Sequence, residues 1–119
     1  MYLASNKQRE ATLNGSQLIH VVAFTLNPGV SSKDSRAQAA AMITSGHPTV
    51  IPEIATWACG WDTSRRPDSA DFLVVSTFNS VADYKTFQAH PDHQRGKEAW
   101  RQIATWIVAD LLLDSSKQL

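Results

Sequence analysis

The sequence predicts an α+β fold, a four-stranded antiparallel sheet with helices on one face, and three features of its 119 residues carry that prediction. Four short segments rich in Val, Ile, Leu, Phe and Trp alternate between two faces, as strands do. An alanine-rich stretch and a polar stretch broken by His-Pro lie between them, each with capping residues ahead of it. The composition, 43% hydrophobic with one cysteine, suits a single domain that buries its own core without metal or disulfide.

Residues 1–16 carry few large apolar side chains, show no sustained period and end in Asn14-Gly15-Ser16, so they read as a flexible extension. The domain is expected over 17–114, with 115–119 as a short tail. Within 17–27, Leu18, His20, Val22, Phe24 and Leu26 share one face of a strand that Pro28-Gly29 ends. Ser31 or Ser32 is expected to cap a helix, with Asp34 in its first turn, the run RAQAAAMITS in its body and Gly46-His47-Pro48 at its end. After Pro52, Ala55, Trp57, Cys59 and Trp61 alternate with Ile54, Thr56, Ala58 and Gly60, giving a second strand with one aromatic face and one of small residues. A polar loop leads into a third strand over 71–78, paired antiparallel with the second. Ser80 with Asp83 forms a capping arrangement for a short helix that shows Val81, Tyr84 and Phe87 on one side. His90-Pro91-Asp92-His93 breaks that helix and opens the next, whose buried stripe is Trp100, Ile103 and Ala104, and 106–113 form the fourth strand. The order β-α-β-β-α-α-β is the split βαβ arrangement of ferredoxin-like folds.

The sheet has one apolar face too many. The first strand carries Leu18, Val22 and Phe24 on one side and Ile19, Val21 and Ala23 on the other; the third sets Phe72, Val74 and Phe78 against Leu73 and Val75. Helices cover one face, and in so short a chain a second copy is expected to cover the other, giving a homodimer whose two sheets face each other; a concave, partly apolar chamber lined by strand and helix residues is expected to follow.

Charge and motifs exclude several function classes. Eleven basic residues balance eleven acidic ones, and the only adjacent basic pair, Arg65-Arg66, is flanked by Asp62 and Asp68, so nucleic acid is not an expected partner. No apolar run reaches membrane-spanning length and the first residues are too polar for a secretory signal, so neither a membrane partner nor export is expected and the reading is cytoplasmic. Glycine-rich phosphate loop, dinucleotide fingerprint, nucleophile elbow and zinc signature are all missing, so no cofactor and no metal are expected. His90 and His93 have no Cys or carboxylate at a ligand-like spacing.

Four stretches carry a family resemblance: His20-Val21-Val22 in the first strand, Ile51-Pro52-Glu53-Ile54 ahead of the second, Val75-Ser76-Thr77-Phe78 before a short helix, and Phe87-Gln88-Ala89-His90-Pro91-Asp92-His93. Over residues 18–113 the chain resembles the stress-responsive dimeric α/β-barrel (Dabb) family. The resemblance implies a ferredoxin-like protomer whose dimer closes two sheets into a barrel. It also implies kinship with polyketide cyclases like olivetolic acid cyclase, where a tyrosine and a histidine run a cofactor-free aldol condensation. Matched along the motif, the histidine falls on His93 and the tyrosine on Phe87, which has no hydroxyl; there the sequence departs from the cyclase pattern. The family pattern also places a cavity-facing histidine at His20.

The candidate site follows. His93 stands in the first turn of a helix, where positive potential disfavours imidazolium and leaves a neutral general base. His20, polar on an apolar strand face, needs a partner and is the orienting or proton-transfer group. Tyr84, one turn before Phe87, offers a substitute phenol. Phe24, Trp57, Phe72 and Phe87 are expected to line the pocket, and His90, which fixes the loop before Pro91, is counted with the substrate contacts. Cys59 reads as an inert small hydrophobe. The function expected is a cofactor-independent cyclase, isomerase or lyase using histidine acid/base chemistry on an aromatic or polyketide-like substrate. Its rival is a non-catalytic stress-responsive or ligand-binding barrel.

Overall fold

A computed structural model of the chain describes residues 16–114. The expected extension and the 115–119 tail lie outside the described residues, apart from Ser16, which begins the first strand. The elements are β1 (Ser16–Leu26), α1 (Ser35–Val50), β2 (Thr56–Trp61), β3 (Phe72–Phe78), α2 (Val81–Ala89), α3 (Pro91–Arg101) and β4 (Ala104–Asp114). They form the ferredoxin-like α+β fold, one four-stranded sheet in the order β2-β3-β1-β4 with every pairing antiparallel.

Register decides which residues meet. Directly paired residues share a face. Phe24 lies opposite Phe72 in β3 and Trp106 in β4, while His20 lies opposite Ser76 and Asp110. The inward face therefore carries Val22, Phe24, Phe72 and Val74, which pack with Ala37 and Ala40 of α1 and Trp100 of α3. Phe24 stacks on Trp100 at 4.2 Å between ring centroids, and the Trp100 indole N–H donates to Thr44 Oγ1 at 2.8 Å, tying α3 to α1. A second cluster joins Leu18, Ile51, Phe78, Tyr84 and Phe87 at the other end of the sheet. Among the described residues nothing covers the outward face: Ile107 is 76% exposed, Leu111 58% and Leu73 43%.

Several local expectations are corrected. The cap of α1 is Asp34, whose carboxylate accepts the Arg36 N–H at 2.9 Å; Ser31 instead accepts from Lys33 N–H in the turn before it. Gly46-His47-Pro48 does not stop α1, which runs on to Val50 and closes with Ile51 N–H donating to His47 O at 2.8 Å. Proline costs an interior helix one hydrogen bond, but Pro48 falls in the last turn, and burial of His47 and Ile51 holds that turn in place against local propensity. Gly29, with φ +85°, makes the turn that ends β1. In α2 only Tyr84 and Phe87 face inward, since Val81 is exposed. Ile103 and Ala104 are buried as expected but lie beyond the end of α3. No helix among the described residues is long and apolar enough to cross a membrane.

Candidate functional site

Helices α2 and α3 lie over the inward face of the sheet and leave a half-open cavity of about 150 Å³ against β1 and β4. Its polar lining is His20, Tyr84, Gln88, His93 and Lys97; its walls are Val22, Phe24, Phe87, Trp106 and Val108. A smaller hollow of about 30 Å³ shares His20, Phe24, Phe87, His93 and Lys97, and continues inward to His47, Trp57 and Gly96. The cavity thus belongs to one protomer, between sheet and helices. Its lining of strand and helix residues is the one expected of the chamber, and the alternation of β1, which turns His20, Val22 and Phe24 toward the helices, sets it on the helix side of the sheet.

His20 is buried at mid-strand and the register of β1 with β4 sets Asp110 beside it. The ring Nδ1–H donates to Asp110 Oδ1 at 2.6 Å, which leaves Nε2 as the ring nitrogen free of that bond. Tyr84 donates its hydroxyl to Asp110 Oδ2 at 3.0 Å and lies 3.1 Å from His20 Nδ1. Burial, then the bond to Asp110, raise the Tyr84 phenol well above its ordinary range, so it remains a hydroxyl at neutral pH. Asp110 was missed from sequence; its signal is the alternation Trp106, Val108, Asp110, Leu112, which puts an acid on the inward face.

His93 stands on α3 with its ring 4.2 Å from that of Phe87, and its Nδ1–H donates to the Gln88 carbonyl at 3.2 Å. Burial lowers its pKa to about 4; the Gln88 carbonyl opposes this, and the nearby charges of His47, Lys97 and His20 add to it. The imidazole is therefore neutral at pH 7, with Nε2 carrying the lone pair. The neutrality expected from sequence is present, but burial is its main cause, ahead of any effect of the helix end.

His47 is the second residue that sequence reading missed, having been taken for part of a helix stop. It is buried, its Nδ1–H donates to Asp92 Oδ2 at 2.8 Å, and its ring centroid is 5.9 Å from that of His93. Burial pushes its pKa down against the pull of Asp92. Asp92 also takes Arg95 at 2.8 Å; burial alone would push its carboxyl up, but Arg95 and His47 together hold it below the usual range. Helix α3 approaches this pair closely enough that a Cβ at Gly96 would stand 2.9 Å from His47 Nε2.

Of the residues expected at the site, His20, His93, Tyr84, Phe24 and Phe87 line the main cavity and Trp57 the inner hollow. The Trp57 indole N–H is buried with no hydrogen-bond partner among the described residues. Phe72 is elsewhere: it packs on Trp61 at 4.9 Å and Trp100 at 5.1 Å, since β3 lies on the other side of β1 from β4. His90 is also outside the cavity, and its Nδ1 accepts the Asp92 N–H at 3.0 Å as the cap of α3. Only two residues separate His90 from His93, yet one caps the helix and the other faces inward. Among the described residues no cluster of three or more His, Cys, Asp or Glu is placed to hold a metal ion. The arrangement sets two imidazoles and a phenol on hydrocarbon walls, groups able to take a proton from a bound molecule and return it.

Comparison with known proteins agrees with this fold. Residues 18–112 match the family described as the Stress responsive A/B Barrel Domain, Dabb. An uncharacterized protein of Streptomyces coelicolor is 35% identical over 91 residues, 76% of this chain and 94% of that protein. A dimeric ferredoxin-like protein of unknown function from Thermobifida fusca superposes with a TM-score of 0.73 at 23% identity, covering 83% of this chain and 92% of its own. The hydroxynitrile lyase of Passiflora edulis superposes with a TM-score of 0.69 at 20% identity, covering 87% and 96%. At these identities the two structures share the fold.

Proposed function

Because the chain belongs to the stress-responsive A/B barrel (Dabb) family, we propose that it is a homodimeric, cofactor-independent enzyme of cyclase, isomerase or lyase type. It acts by histidine acid/base chemistry on an aromatic or polyketide-like molecule. The observation that carries this reading is the cavity of about 150 Å³ in which His20, Tyr84 and His93 converge on apolar walls.

In this reading His93 is the general base. Its Nδ1–H is committed to the Gln88 carbonyl, so Nε2 removes a proton from an acidic C–H of the substrate, and the electron pair moves onto the adjacent carbonyl. His20, oriented by Asp110, is the proton-transfer partner, and the Tyr84 hydroxyl keeps that pair in register. Phe87 supplies a wall in place of a phenol. That a hydroxynitrile lyase has this fold supports a small-molecule enzyme. The bare outward face with Ile107 and Leu111, and the dimeric neighbour from Thermobifida fusca, support the homodimer.

Proton removal from carbon is measured without knowing the natural substrate. Deuterium exchange into a panel of 1,3-dicarbonyl compounds, followed by NMR, is expected to run faster with the protein than in buffer. The His93→Ala variant, verified as folded, is expected to lose about 10² to 10⁴ of that rate. Exchange at the native rate in the variant overturns the base. Exchange no faster than buffer with the native protein overturns the enzyme and leaves the ligand-binding barrel.

A further inference from the structure

The charge of the cavity points to the kind of molecule it holds. Lys97 lies one helical turn after His93 on α3 and lines both the main cavity and the inner hollow. It is half-buried, and among the described residues it makes no hydrogen bond or ion pair. The other cations of α3 are paired, Arg95 with Asp92 and Arg101 with Glu98. Among the described residues no carboxylate lines the main cavity. Asp110 stands behind His20 and Tyr84 with both oxygens already accepting from them. The cavity is thus a hydrocarbon pocket with one unmatched full charge, which is positive.

We propose that this cavity selects a small organic anion, an apolar body of about one ring whose carboxylate or enolate oxygen pairs with Lys97. The inference rests on reading the cavity as the substrate site and names the substrate class. Size and charge argue together. A cavity near 150 Å³ is known to admit a single benzene ring. Lys97 has no partner of its own among the described residues, so an incoming anion meets an available cation, and the hydrogen bond formed is of the stronger, charge-assisted kind. An anion there lies beside His93, so the charge developing on a deprotonated substrate falls within reach of the same ammonium.

Benzoate and benzamide test this, having the same ring and nearly the same shape but different charge. Each is titrated into the full chain while the side-chain NMR signals of His20 and His93 are followed. Benzoate is expected to move both signals and to bind at least about tenfold more tightly than benzamide. Lys97→Met, which keeps the aliphatic stem, is expected to bring benzoate down to the level of benzamide and leave benzamide unchanged; Lys97→Arg is expected to retain the preference. Equal binding of the two probes overturns the anion preference while leaving the cavity a ligand site. Failure of both probes to move either histidine overturns the proposal and the ligand site together. A preference for benzoate that survives Lys97→Met overturns the assignment to Lys97.

Discussion

Tyr84→Phe removes a single oxygen from the site and leaves the ring. The Tyr84 side chain is buried against Phe78 and Phe87, with centroids 5.2 and 6.2 Å away, so the phenylalanine packs as before and creates no cavity. What is lost is the donation to Asp110 Oδ2 at 3.0 Å. A hydrogen bond to a charged acceptor contributes about 1.5 to 3 kcal/mol where water is excluded. The Asp110 side chain is 38% exposed, so water can occupy the vacated lone pair, and the cost falls to the lower end, about 1 to 1.5 kcal/mol. In a domain of this size each kcal/mol lowers Tm by roughly 4 to 8 °C, which predicts a drop of about 4 to 12 °C. Thermal unfolding at one fixed protomer concentration measures it, since association would otherwise shift Tm. The same substitution in an Asp110→Ala background is expected to cost much less, because the acceptor is already gone. An unchanged Tm, or an equal loss in both backgrounds, would refute the claim that the phenol acts through Asp110.

Acid should weaken the fold in a defined window. The unfolded imidazole takes its proton near 6.5 and folded His93 only at about 4, so the unfolded state binds more protons in between and stability falls as pH drops from 6.5 toward 4. His47, also lowered by burial, adds in the same direction. Denaturant midpoints measured between pH 7 and pH 4.5 should show the fall, and His93→Gln should flatten it; a flat profile for the native chain contradicts the burial of both rings. On the outward face, Ile107→Lys with Leu111→Lys places two charges on exposed apolar positions. Light scattering after size exclusion should find a dimer for the native chain and a monomer for the double variant, and a native monomer or an unaffected dimer would remove that face as the interface.

The strand pattern, the element order and the inward placement of His20 are legible because period-two alternation needs only neighbouring residues. Asp110 was not, because an aspartate in a terminal strand reads as a solvated residue until one knows that β4 pairs with β1 ninety positions away. His47 was hidden by Pro48: local propensity ends the helix there, and only the burial of His47 against Asp92 carries it through. Phe72 shows the complementary error. Alternation put it on the correct face, but the spatial order β2-β3-β1-β4 places β3 away from the cavity, and that order is a property of the whole sheet.

β4 serves two masters by alternation: Trp106 and Val108 close the cavity while Ile107 and Leu111 point to the bare face. A slip of one residue in its pairing would set Ala109 or Leu111 opposite His20 and turn the acid outward. Over generations such a strand admits substitutions but neither insertions nor deletions. The exposed turn at 63–68 touches neither the cavity nor β4's partner strand pairing, and there the length of the chain is free to drift.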